Sequence, residues 1–140
     1  MIVLDTNVVS ELFRPHPEPR VVAWLEALTD DVAITTITLA ELLAGVRRLP
    51  GGRRREDLEA AIDGAVRPYR DTRSLLAFDE EAAAEYAEVL LARERAGLPI
   101  ATADAQIASI CRLHRAVCAT RNTKDFTRTG VELVDPWLAP

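Results

Sequence analysis

The chain begins MIVLD, four apolar side chains in a row ahead of a carboxylate at Asp5. A strand that is apolar on both faces suits the interior of a parallel sheet, with helices covering either side. Further short β-rich runs follow at VAIT 32–35, SLLAF 74–78, AVCAT 116–120 and VELV 131–134. Between them lie longer stretches with helical spacing. A helix starts near Asn7, with Asp5 as a possible N-cap, and RPHPEPR at 14–20 reads as a proline-interrupted loop. A second helix, from about Glu18 to Leu28, should pack Val21, Trp24, Leu25 and Leu28 into the core. A third runs from about Thr38 to Arg48 and is closed by Pro50, Gly51 and Gly52. The fourth, from Arg54 to about Val66, spaces Leu58, Ala61, Ile62 and Ala65 along one face and is expected to stop at Pro68. The fifth starts at Asp79 with acids in its first turn and ends at Gly97 and Pro99; the sixth, from about Thr102 to His114, buries Ile107, Ile110 and Cys111. Strand and helix alternate, which predicts βαβ units and an α/β fold around a mainly parallel sheet of four to five strands.

At 140 residues the chain is expected to form a single domain over 1–140. A chain of that size buries roughly 68–70% of its unfolded surface, enough for a core without disulfides. Cys111 and Cys118 form neither a CxxC pair nor a Cys/His cluster, so both should be reduced and buried. There is no apolar run of membrane-spanning length and no secretory signal pattern, which together predict a soluble, cytoplasmic protein with no membrane partner. Net charge is −5, from 22 acids against 17 bases, so no overall electrostatic footprint for nucleic acid exists. The charges are unevenly placed, however: RRLPGGRRR at 47–55 holds five arginines and no acid, while DEEAAAEYAE from Asp79 is strongly acidic.

In an open parallel sheet, functional groups collect in the crevice beyond the carboxyl ends of the strands. Asp5 ends the first strand, Glu41 in TITLAELLAG lies in the first turn of the helix after the second, and Asp104 in IATADAQIAS opens the sixth helix. If the fourth strand pairs beside the first, all three face one crevice, and NTKD at 122–125 brings Asn122 and Asp125 to its edge. Two carboxylates about 5 Å apart repel by about 3 kcal/mol at an effective dielectric near 20, so such a group calls for protons or cations. An all-oxygen donor set suits Mg²⁺ or Mn²⁺ rather than Zn²⁺. Each acid also has an ordinary structural reading: Asp5 as a helix cap, Glu41 as the partner in a Thr38-x-x-Glu41 capping box, Asp104 as a first-turn acid. Their joint placement is what points to chemistry.

Taken together, MIVLDTNVVSE, ITLAELLAGV, PIATADAQIAS and ATRNTKDF, with the ending VDPW, make the chain resemble PIN-domain ribonucleases, and among them the VapC-type toxins of bacterial toxin–antitoxin pairs. The resemblance implies a three-layer α/β/α fold and a metal-dependent endoribonuclease. In that family the acids matching Asp5, Glu41 and Asp104 bind one or two Mg²⁺ or Mn²⁺ ions, and the position matching Asn122 supplies a fourth ligand, often aspartate. Asn122 is neutral here, with Asp125 nearby as a partial replacement. Thr6 matches a hydroxyl that orients Asp5 or a bound water; a first-turn backbone hydrogen bond is the plainer alternative. With metal-activated water as nucleophile, products would carry 5′-phosphate and 3′-hydroxyl ends. The resemblance further implies a VapB-like antitoxin whose C-terminal segment covers the groove, a toxin homodimer within a heterotetramer or larger assembly, and contact with operator DNA only through the antitoxin.

An acidic pocket that attracts a polyanion needs basic surface to offset it. Arg47, Arg48, Arg53, Arg54 and Arg55 are candidates for RNA or partner contact, with Arg121 and Lys124 beside the expected site. Arg47 and Arg48 are also explained as cations in the last turn of a helix. Among rival classes, a dehalogenase-type phosphatase needs a second aspartate where this chain has Asn7, and no glycine-rich phosphate loop is present. The remaining alternative is a catalytically silent PIN-like module that binds RNA or protein.

Overall fold

The structure, a computed structural model, describes residues 1–139. Strands β1 (Ile2–Leu4), β2 (Val32–Thr35), β3 (Leu75–Leu76), β4 (Val117–Ala119) and β5 (Leu133–Val134) form one sheet in the order β3-β2-β1-β4-β5. Every neighbouring pair is parallel. The opening apolar run is explained by the pleat, which sends successive side chains to opposite faces. Ile2 and Leu4 join Ile34 and Ala119 in one core, whereas Val3 joins Ala33 and Cys118 in the other.

Four helices cover the first face: α1 (Thr6–Glu11), α2 (Pro19–Glu26), α3 (Thr36–Arg47) and α4 (Arg53–Asp71). Two cover the second, α5 (Glu80–Arg95) and α6 (Thr102–His114). The result is the expected three-layer α/β/α arrangement. Trp24, Leu25 and Leu28 pack on the first core, and Ile107, Ile110 and Cys111 are fully buried in the second. Cys111 and Cys118 are both free and buried. Among the described residues no helix is long and apolar enough to cross a membrane.

Three sequence expectations need correction. Helix α4 does not stop at Pro68 but runs through it to Asp71. Proline costs a helix the bond to the carbonyl four residues back; here that residue is the exposed Gly64, on the water-facing side. The buried stripe of α4 is Leu58, Ile62 and Val66, continued by Tyr69, while Ala61 and Ala65 face solvent. Helix α3 begins at Thr36, two residues earlier than its apolar spacing suggests, because the hydroxyl of Thr35 caps it by accepting from the Thr38 amide at 3.1 Å. That earlier start changes the meaning of Glu41.

Candidate active site

Asp5 occupies the junction between β1 and α1, and both of its oxygens are held. Oδ1 accepts the Thr6 amide at 2.8 Å, so the residue is indeed the N-cap of α1. Oδ2 accepts the Thr120 hydroxyl at 2.8 Å and the Asn7 side-chain amide at 3.3 Å. Thr120 is within reach because β4 lies directly beside β1, with Leu4 opposite Ala119 and the Asp5 amide bonded to the Ala119 carbonyl at 2.9 Å. The carboxylate is only 4% exposed. Burial pushes its pKa up; the bonds from Thr120 and Thr6 pull it down, and the charges of Glu41 and Asp125 push it up again. The capping and site readings of Asp5 therefore coexist, since a cap needs one oxygen and leaves the other to be aimed.

Glu41 is not part of a capping box. With α3 starting at Thr36, it lies in the second turn, and the first turn holds no acid. Its Oε1 instead accepts the Thr6 hydroxyl at 2.6 Å, a contact that joins α1 to α3, and that hydroxyl also lies 3.0 Å from the Thr38 hydroxyl. The Thr6 hydroxyl thus bonds to Glu41 and Thr38, rather than to Asp5 or to backbone. A second-turn acid that is solvent-exposed yet anchored by a distant hydroxyl is hard to explain by helix stability alone.

Asp104 is the third residue of α6, whose N-cap Ala101 offers no side-chain bond. Its pKa is pushed up to about 6, first by burial, then by the charges of Asp5, Asp125 and Glu41; the cation opposing them is Arg93. Asn122 and Asp125 follow β4, Asn122 as the residue ahead of a short 3₁₀ helix at Thr123–Phe126 and Asp125 within it. The Asn122 amide donates to Thr120 at 3.1 Å, while its side chain makes no capping bond. Of the predicted acidic constellation, then, Asp5, Glu41, Asp104 and Asp125 act on one another electrostatically at the carboxyl end of the sheet. Among the described residues no three His, Cys, Asp or Glu side chains stand close enough to hold a metal ion as they are placed. The donor set is nonetheless all oxygen, with one member rigidly anchored and another holding a proton unusually tightly, which fits a hard divalent cation that keeps part of its water.

The arginine run is divided in its tasks. Arg47 and Arg55 both reach Glu59, at 3.8 and 3.3 Å, so two of the five are engaged in ion pairs on α3 and α4. Arg53 and Arg54 line an open groove with Leu12, Phe13, Pro15 and Leu58, and Arg48 lies on a depression that includes Thr6 and Glu41. The Arg121 guanidinium stacks over Trp137 at 5.0 Å, and its amide donates to Asn7 at 3.2 Å. Lys124 belongs to the 3₁₀ helix, and its carbonyl accepts from Arg93 at 3.3 Å.

Four contributors escaped the sequence reading: Asn7, Thr38, Thr120 and Arg93. The first and third are visible as polar residues directly after β1 and β4 once the strands are known to be adjacent. Thr38 is hidden because it reads as a helix start. Arg93, in the last turn of a helix, has the appearance of an ordinary dipole-compensating cation.

Residues 2–132 match the PIN domain family. The chain belongs to the PIN-domain family. Among its relatives, Toxin FitB from Neisseria gonorrhoeae is 41% identical over 98% of this chain and 99% of its own. The VapC ribonuclease Y4jK from Sinorhizobium fredii is 37% identical over 98% of both. The crystal structure of FitAcB from Neisseria gonorrhoeae superposes with a TM-score of 0.92 at 40% identity, covering 99% of this chain and 100% of that one. VapBC2 from Rickettsia felis, solved bound to a promoter DNA fragment, gives 0.79 at 28% identity, covering 96% of this chain and 98% of its own. These likenesses place this PIN domain among the VapC-type toxins.

Proposed function

We propose that this PIN domain is the endoribonuclease toxin of a toxin–antitoxin pair, hydrolysing RNA phosphodiesters with the help of Mg²⁺ or Mn²⁺. The observation that carries the reading is the convergence of Asp5, Glu41, Asp104 and Asp125, drawn from four separate parts of the chain, on one end of the sheet. The names of its relatives, a VapC ribonuclease and a toxin, support the reaction class, and the VapBC structure on promoter DNA supports an antitoxin partner that mediates contact with DNA.

Asp5, Asp104 and Asn122 would hold the cation, with Asp125 supplying charge that Asn122 lacks. When bound, such an ion polarises the phosphodiester and makes water a competent nucleophile at neutral pH. The protein's own part follows from its hydrogen bonds. Asp5, fixed through both oxygens, gives the site one rigid corner. Glu41 is held through Oε1 by Thr6, which leaves Oε2 to accept a proton from the attacking water. Because water and not the ribose hydroxyl attacks, the products would be a 5′-phosphate and a 3′-hydroxyl. The test is cleavage of total bacterial RNA with Mg²⁺, repeated with EDTA and with Asp5→Asn. Loss in both controls, with 5′-phosphate ends in the wild type, supports the reading. Cyclic phosphate products or activity in EDTA would overturn it, and no cleavage of any RNA would leave the silent binding module.

A further inference from the structure

Arg93 is 4% exposed, and its guanidinium is surrounded by neutral acceptors. Nε donates to the Leu98 carbonyl at 3.0 Å and Nη2 to the Pro99 carbonyl at 2.9 Å. Nη1 donates to the carbonyls of Thr127 at 2.8 Å and Lys124 at 3.3 Å, and meets the Thr127 hydroxyl at 3.3 Å. Among the described residues it makes no ion pair. A buried cation without a paired carboxylate is disfavoured unless its donors are satisfied and negative charge lies near. Both conditions are met here: a rigid planar fork takes two chain segments at once, and the cation acts on the charge of Asp104. The segments are not arbitrary. Leu98 and Pro99 lead through Ala101 into the first turn of α6, which carries Asp104, while Lys124 and Thr127 bracket Asp125.

We propose that Arg93 is a positioning residue of the site: its guanidinium ties the 98–101 lead-in of α6 to the turn at 122–127, and so sets how far Asn122 and Asp125 stand from Asp104. The consequence for metal binding rests on the function proposed above; the positional role does not. A simple staple of the fold would affect stability alone, so the two roles are separable by comparison with Val66→Ala, a truncation in the core on the other face of the sheet, which contains no residue of either segment.

The experiment takes the full metal-free chain as wild type, Arg93→Lys, Arg93→Met and Val66→Ala. It measures melting temperature, backbone amide chemical shifts, and Mn²⁺ affinity by calorimetry. Both Arg93 variants should shift the amides of 101–104 and 122–125 without metal, and weaken Mn²⁺ binding about tenfold, the lower end of what loss of an outer-sphere partner costs. Val66→Ala should melt earlier with both readouts unchanged. If Arg93→Met does not fold, Arg93→Lys decides, since it keeps the charge and loses the fork. Unchanged amide shifts in Arg93→Lys would overturn the positional role, and unchanged Mn²⁺ affinity its consequence for the cation. A wild type that binds no Mn²⁺ would defeat the metal reading of the site, while the amide shifts would still decide the role of Arg93.

Discussion

Helix α6 carries charge at both ends, and the two ends treat it in opposite ways. In its last turn Arg112 is matched: Nε bonds Glu85 at 2.8 Å and Nη1 bonds the Thr129 carbonyl at 2.9 Å. Gly130 makes room for that guanidinium, because a β-carbon there would lie 2.5 Å from Nη1, and its φ of +79° suits glycine. In its first turn Asp104 has the charges of Asp5, Asp125 and Glu41 for neighbours, with Arg93 opposing them. A cavity of about 410 Å³ opens beside Arg112, with that arginine's partner Glu85 on its wall. Chemistry is marked less by hollow volume than by charges left unbalanced after folding.

That contrast should be breakable from either side. Asp104→Asn ought to lower RNA cleavage by about 10²–10³-fold, the scale expected for removing a preorganised charge at a reacting centre. The same substitution should raise the melting temperature of the metal-free protein at neutral pH, since it removes a carboxylate that is costly to ionise there. Arg112→Met should do the reverse. It strands the buried Thr129 carbonyl and unpairs Glu85, costing about 1–3 kcal/mol of stability, while the cleavage rate per folded molecule stays unchanged. A loss of stability in Asp104→Asn comparable to that in Arg112→Met would erase the distinction between the two ends.

The pH dependence sharpens the same comparison. Asp104 has a pKa of about 6 in the folded protein against an ordinary value of 3.8, so between those values the folded state binds more protons than the unfolded chain. Stability of the metal-free protein should therefore rise as pH falls through 6 toward 4, and the penalty should be fully present above 6. A divalent ion competes with that proton, so the stabilisation given by Mn²⁺ should fade over the same interval. Melting curves across pH, with and without Mn²⁺, check both slopes, and Asp104→Asn should flatten them. A metal-free protein that loses stability steadily from pH 7 to 5, with no difference in Asp104→Asn, would contradict the assigned environment.

The difference between the two ends of α6 also explains what could be seen in the sequence. The alternation of strands and helices and the parallel sheet were legible because apolar runs are local patterns, whereas the gathering of the acids in one crevice was conditional on β4 lying beside β1. Asp5, Asp104 and Asp125 were candidates under that condition. What was illegible depends on exact helix starts and long-range contacts. Thr38 and Glu41 spell a capping box, but Thr35 takes the cap, and the Glu41 carboxylate is freed for Thr6. Pro68 spells a stop, but the bond it removes lies on the solvent side. Arg93 looks like any helix-end cation, because its acceptors are backbone carbonyls, which have no sequence signature.

The smallest effect tests the finest of these points. If the Thr6 hydroxyl orients Glu41, Thr6→Val should reduce kcat about fivefold, since one hydrogen bond is worth about 1 kcal/mol, with Mn²⁺ affinity unchanged because Asp5 keeps the Thr6 amide and Thr120. Thr6→Ser restores the donor and should restore the rate. A hydroxyl acting only on the stability of α1 would lower the melting temperature and leave kcat alone, and Thr6→Ser would then rescue stability without any catalytic signature. Glu41→Gln sharpens the assignment: it still accepts from Thr6 but holds a proton-accepting oxygen no longer, so its loss should exceed that of Thr6→Val, and adding Thr6→Val to it should cost little more. Additive losses would mean that the hydroxyl and the carboxylate work separately.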